Sequence, residues 1–179
     1  MALKDHSLDD KITAAAFAEF SEKGYTGASL RRIAERAGVT VGAIQTRYSS
    51  KDELFSSLLK PFLGEIEATF RRVKADYYSE GDGDFMARLK ASVKHESEAI
   101  LQLIFSNYEQ ARLLFYGSAG SSLENYFDAL VASKIEESLL FFHGAGYAGI
   151  DEGLLGLLIS VQFDSYRRIV GSCRDRETA

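Results

Sequence analysis

The sequence predicts an all-α fold, with three short N-terminal helices followed by a larger helical domain. Three observations predict it. Apolar residues recur three and four apart over long segments, no stretch alternates as a half-buried strand would, and the chain contains a single proline. With 179 residues, 46% apolar and 26% charged, the chain can bury a substantial core and is too apolar to be disordered.

Each element has its own signals. Leu8, Ile12, Ala15, Ala16 and Phe20 form the apolar stripe of a first helix over residues 8–23, which Gly24 ends. After the loop Tyr25–Ala28, Ser29 is the N-cap of a second helix through Leu30, Ile33 and Ala34 to Ala37. Gly38 supplies a left-handed turn residue, and Thr40 caps a third helix over residues 41–47. Ser50 caps a fourth, with Glu53 as its capping-box partner. Pro61 falls inside this fourth helix, where a proline is expected to kink or break it. After the breaker "SEGDGD", a helix over 84–106 carries Phe85, Leu89, Val93, Ile100, Leu103 and Ile104 on one face. Glu96 falls within that face, as Lys134 does in a later helix over 121–143. The loop "YGSAGSS" at 116–122 separates two helices and has no phosphate-binding pattern. The last helix, 151–171, is apolar over most of its circumference, with Leu154, Leu157, Leu158 and Val161 on one side and Leu155, Ile159, Phe163, Tyr166 and Val170 on another. Such a helix needs two walls, and a second copy of the chain is the natural one beyond its own core.

Charge is unevenly distributed. Residues 1–60 hold nine Lys/Arg against eight Asp/Glu, while the remaining 119 hold twelve against eighteen. Within 24–51, Arg31, Arg32, Arg36, Arg47 and Lys51 face the single Glu35. This is a modest basic stretch on a chain of net charge −5, compatible with a solvated face or with a nucleic-acid partner. The segment from Ser29 to Arg47 reads helix, glycine turn, helix, the arrangement that places a second helix in a DNA major groove and that also occurs in ordinary bundles.

The stretch from residue 11 to about 59 resembles the N-terminal domain of the TetR/AcrR family of transcriptional regulators. The resemblance is carried by Ile12, Ala15, Ala16, Phe20, Gly24, Tyr25, Ser29, Ile33, Ala34, Ala37, Gly38, Val39, Gly42, Tyr48, Lys51 and Leu54 at the family's spacing. It implies a helix-turn-helix DNA-binding domain in residues 1–50 and a helical ligand-binding and dimerisation domain in 51–179. The DNA-contacting positions it implies are Arg31, Thr40, Val41, Gly42, Ala43, Gln45, Thr46, Arg47, Tyr48 and Lys51. Their chemistry fits. Gly42 allows close approach, Val41 and Ala43 can meet a thymine methyl, and Gln45 can pair bidentately with adenine. Thr46 reaches a base edge or a phosphate, Arg47 a phosphate or guanine, and Lys51 a phosphate at the start of the fourth helix.

The chain departs from the family at Gln45 and Arg47, where tyrosine and histidine or tyrosine are usual, and at Ala28, where threonine is usual. These departures bear on which operator is read; the alternative they leave open is a dimer of the same fold that binds ligand or protein but no operator. The family usually has one more helix beyond the closing "RDRETA", which reads as its first turn. In the C-terminal part, Phe85, Glu96, Tyr108, Phe115, Tyr126, Phe127, Gln162 and Tyr166 are candidates for lining a largely apolar effector site. Glu96 has a second reading as the structural partner of Lys134.

An enzyme is not expected, and neither is a cofactor or a metal. His6, His95 and His143 are scattered, the weak group His95, Glu96 and Glu98 lacks ligand spacing, and Cys173 belongs to no nucleophile motif. The segment "MALKDHSLDDKITAAAF" is too polar for a signal peptide, and "LLGLLISVQF" at 154–163 is too short to span a bilayer, so the expected setting is cytoplasmic with no membrane partner.

Overall fold

The structure is a computed structural model that describes residues 6–79, 85–144, 146 and 149–172. Among the described residues the elements are helices: α1 (His6–Gly27), α2 (Leu30–Ala37), α3 (Val41–Gln45), α4 (Lys51–Ser79), α5 (Phe85–Ser106), α6 (Tyr108–Gly117), α7 (Tyr126–Gly144) and α8 (Glu152–Ser172). Cys173 and the closing "RDRETA" lie outside the described residues.

α2 takes the bounds expected from its caps, whereas α1 resumes after Gly24 and runs to Gly27, and α3 is shorter than expected, ending at Gln45 rather than 47. Gly24 adopts φ 66° and ψ 172°, which breaks the regular path of α1 before its last turn. α1 packs on α2, α4 and α6, and α2 on α3. A ring cluster holds the junction. Phe20 of α1 meets Phe55 of α4 edge-on at 5.0 Å, and Tyr25 meets Phe55 at 5.2 Å. Leu54, Phe55 and Leu59 of α4 are fully buried in the same core as Ile12, Phe20, Ile33 and Ile44. α1 therefore stands on the first turns of α4, and α2 and α3 join the same core through Ile33 and Ile44.

α4 begins with a reciprocal cap. Ser50 Oγ accepts from Glu53 N–H at 3.0 Å, and Glu53 Oε2 accepts from Ser49 N–H at 2.6 Å and Ser49 Oγ–H at 2.5 Å. The carboxylate thus reaches one residue further back than the usual box. The Ser49 hydroxyl and then the Ser49 backbone N–H hold the Glu53 carboxyl below its ordinary range. A carboxyl whose folded value is depressed stabilises above the unfolded value and loses that contribution as pH falls through the folded one. Glu53→Gln is therefore expected to flatten the pH dependence of stability below about pH 4.3 and to change little near neutrality. Unfolding curves from pH 3 to 7 check this, and identical acid limbs in both proteins would remove Glu53 from the account.

Pro61 does not break α4, which runs from Lys51 to Ser79, contrary to the expectation of a break or a new start there. Its own side chain is exposed, while Leu59 and Phe62 beside it are buried, so packing on both sides carries the helix past the missing hydrogen bond. Beyond Ser106 the chain forms α6 (Tyr108–Gly117), turned off from α5 at Asn107 (φ −124°, ψ 40°). Asn107 Nδ2 donates to Glu65 Oε2 at 3.0 Å and to Leu103 O at 3.2 Å, which fixes the corner against α4. α7 begins five residues later than expected. Ser121 Oγ donates to Ser118 O at 2.6 Å and accepts from Leu123 N–H at 3.1 Å, a local bonding pattern that competes with helix.

Candidate DNA-reading surface and effector cleft

Two side-chain caps and one left-handed glycine build the helix-turn-helix unit. Ser29 Oγ accepts from Arg32 N–H at 3.3 Å and starts α2. Gly38, at φ 69° and ψ 34°, ends it, with Val39 N–H returning to Ala34 O at 2.9 Å. Thr40 Oγ1 accepts from Ala43 N–H at 3.1 Å and starts α3. Ile44 is the inward face of α3 and is fully buried, whereas Gly42, Gln45 and Thr46 are exposed. Val41, Ala43 and Tyr48 are half-buried, and Thr46 Oγ1 donates to Gly42 O at 2.8 Å.

The basic residues are more occupied than the sequence suggests. Arg31 is largely exposed and pairs with Glu35, four residues on, at 3.1 Å. Arg47 reaches back to α1, its Nε donating to Asp9 Oδ1 at 2.5 Å and Nη1 to Ala43 O at 3.2 Å. Lys51 Nζ donates to Tyr25 O at 2.8 Å and Ala28 O at 3.2 Å, and stands 4.2 Å from the centre of the Tyr25 ring. The sequence presents both as free phosphate ligands; the fold uses both as struts between α1 and the elements that follow. Sequence reasoning missed Glu19. Its buried carboxylate lies 3.6 Å from Arg32 and 3.8 Å from Arg36, and Arg36 also reaches Glu22 at 2.9 Å. The signal was there, because Glu19 falls on the apolar stripe of α1 and a carboxylate at such a place requires a partner.

Arg47→Ala is expected to weaken binding to every duplex alike and to lower the salt slope by about one phosphate contact. Asp9→Ala frees the guanidinium and should leave that slope intact. Affinities over a salt series distinguish the two, and an unchanged slope in Arg47→Ala would leave the residue a strut only.

A cleft of about 640 Å³ opens between α4, α5, α7 and α8, within the size range of small-molecule sites. Its apolar walls include Phe70, Val73, Leu130, Phe142 and Ile159. Glu96 Oε2 accepts from Lys134 Nζ at 2.5 Å within it, and Lys134 also lies 5.3 Å from the Phe70 ring centre. Gln162 Nε2 donates to Tyr166 Oη at 2.9 Å and Ser97 Oγ at 3.2 Å. Of the expected effector residues, Glu96 and Gln162 line this cleft. Phe115, Tyr126, Phe127 and Tyr166 instead surround a void of about 20 Å³, which holds no more than a water, so their rings fill core. Burial, and after it the charge of Glu67, pushes the Tyr126 phenol up. Tyr108 Oη donates to Val170 O at 2.8 Å and ties α6 to α8. The Phe85 side chain lies outside the described residues.

α8 presents two faces. Ile159, Phe163, Tyr166 and Val170 are buried, while Leu154, Leu157, Leu158 and Val161 are 54–60% exposed, as is Leu140 of α7 at 67%. Among the described residues no helix is long and apolar enough to cross a membrane, and no three His, Cys, Asp or Glu side chains group as a metal site.

The chain thus joins a capped helix-turn-helix to further helices that enclose a cleft. Residues 12–58 match the model of the bacterial regulatory proteins of the tetR family. The chain is 30% identical over 99 residues to the HTH-type transcriptional repressor KstR2 of Mycobacterium tuberculosis, covering 54% of this chain and 50% of that protein. It thus spans about half the length of the relatives it matches in sequence. In fold it is similar to the fatty acid degradation regulator FadR from Bacillus halodurans (TM-score 0.60, 17% identity, 93% and 90% of the two chains). It is also similar to FadR from Bacillus subtilis in complex with stearoyl-CoA (TM-score 0.57, 19% identity, 90% and 84%). The match to the tetR family thus falls on the helix-turn-helix part, residues 12–58, and the remaining helices share the fold of these solved structures.

Proposed function

We propose that this chain is a one-component transcriptional repressor, with a DNA-reading head in residues 1–50 and an effector-binding and dimerising domain in 51–179. The observation that carries the reading is the exposed face of α3, where Gly42, Gln45 and Thr46 stand clear of the core that holds Ile44. A homodimer sets two such helices into successive major grooves, about 34–36 Å apart, on a roughly palindromic operator. The outward leucines of α8 supply the dimer surface.

The effector is a small, largely apolar molecule in the cleft. α4 makes the connection, since its first turns carry the reading head and its later residues Phe70, Val73 and Lys74 line the cleft. A second link joins the loop before α7 to the start of α4, where Ser122 N–H donates to Asp52 Oδ1 at 2.8 Å. A ligand that favours a different setting of α4 weakens operator binding, and the operator weakens ligand binding by the same factor. The stearoyl-CoA complex of the Bacillus subtilis FadR supports a long apolar effector as the class to try first.

The test is selection of bound sequences from a random duplex library, with particle mass measured by light scattering on the same sample. An enriched palindrome bound by a dimer is the expected result; an intact dimer that enriches nothing would make this a ligand-binding protein without an operator. Once a site is known, Gln45→Ala should relax base preference at one position in each half-site, at a cost of about 1–3 kcal/mol. If the selected sites match those of the wild type, Gln45 reads no base.

A further inference from the structure

The charges that line the cleft are balanced. Glu67, Glu96 and Glu137 face Arg71, Lys74 and Lys134, and two of these pairs are closed: Lys74 to Glu137 at 3.2 Å and Lys134 to Glu96 at 2.5 Å. The second pair is the more buried, with side chains 12% and 27% exposed, and it sits beside Phe70. Among the described residues each partner of this pair makes one side-chain hydrogen bond, to the other. Glu96 Oε1 is left as an acceptor, and two Lys134 N–H groups are left as donors.

We propose that the Glu96–Lys134 pair selects an effector whose head group is uncharged and both donates and accepts hydrogen bonds, such as a primary amide or a hydroxyl on an apolar body. The inference rests on the reading of the cleft as the effector site. An anionic head would have to approach Lys134 while facing the Glu96 carboxylate, and a cationic head meets the reverse arrangement. Either ion loses its own hydration for a partner that is already neutralised. An amide takes an N–H from Lys134 on its carbonyl and gives its own N–H to Glu96 Oε1, so no charge is left unpaired.

The experiment uses the intact protein and a neutral solvatochromic dye, Nile red, displaced at pH 7.5 by four ligands of one chain length: octanamide, octanoate, octylammonium and 1-chlorooctane. For the wild type, octanamide is expected to compete at roughly tenfold lower concentration than each of the other three. The chlorooctane comparison removes simple hydrophobic partition from the result. Glu96→Gln should turn the preference toward octanoate over octylammonium, and Lys134→Met should turn it the opposite way. Glu96→Leu with Lys134→Leu removes both charges, which commonly leaves stability intact, and should abolish the advantage of octanamide over chlorooctane. Wild-type preference for either ion over octanamide, or variants with the wild-type order, would overturn the head-group inference while the cleft remains the site. Dye that binds but yields to none of the four ligands would overturn the effector reading of the cleft, and the inference with it.

Discussion

Leu157→Lys is expected to give a folded monomer that no longer holds operator DNA. Leu157 is 60% exposed and makes no part of the core, so the substitution leaves the subunit's own packing in place. It does place a charge among the exposed apolar residues Leu154, Leu157, Leu158 and Val161 of α8, of which Leu158 also lines the cleft. An exposed apolar patch of this kind marks an interaction surface, and a lysine that must be desolvated at its centre opposes the contact. Separating the two heads loses the effective concentration that joins the half-site contacts, so affinity for a two-half-site operator should fall on the order of 10²–10⁴-fold. Light scattering gives the mass and a mobility shift gives the affinity. A Leu157→Lys dimer with wild-type affinity would move the dimer surface elsewhere.

Phe55→Ala has the second large effect, and on a different quantity. Phe55 is fully buried and touches both Phe20 and Tyr25 edge-on, so it joins α4 to the two ends of the first helix's final turns. Truncating a buried phenylalanine costs about 3–5 kcal/mol. That is a large part of a domain's usual stability of about 5–15 kcal/mol. For a chain of this size the melting temperature should fall by roughly 6–20 °C. Thermal unfolding followed by circular dichroism measures it, and a drop under about 3 °C would mean that the ring cluster is not what holds the head on α4.

Much of the head could be read from the sequence because short-range chemistry sets its boundaries. Ser29, Thr40 and Ser50 each cap the helix they were expected to cap, and Gly24 and Gly38 take the positive φ that ends the helices before them. What the head's charges do was harder to read. Arg47 finds Asp9 across 38 residues and Lys51 finds the Tyr25 carbonyl across 26, and local pattern carries no information about partners so distant. The Glu96–Lys134 pair was easier, since each is a charged residue on an otherwise apolar helix face. The cleft itself lay beyond pattern. Aromatic residues at core spacing look the same whether they fill space, as Phe115, Phe127 and Tyr166 do, or border it, as Phe70 and Phe142 do. The start of α6 was hidden for a related reason, because the corner at Asn107 rests on the distant Glu65 and has no glycine or proline to announce it.

The internal engagement of the arginines has a kinetic consequence. Arg32 and Arg36 lean on Glu19, Arg47 on Asp9, Arg31 on Glu35, and the chain as a whole carries net charge −5. Such a head draws little long-range attraction from the phosphate backbone. In the proposed role its encounters with duplex DNA would be set by diffusion and orientation rather than by steering, with association on the order of 10⁵–10⁶ M⁻¹s⁻¹, as for unsteered docking. In that role such a protein would skim weakly over indifferent sequence, and slow departure from the operator would set how firmly a promoter is closed.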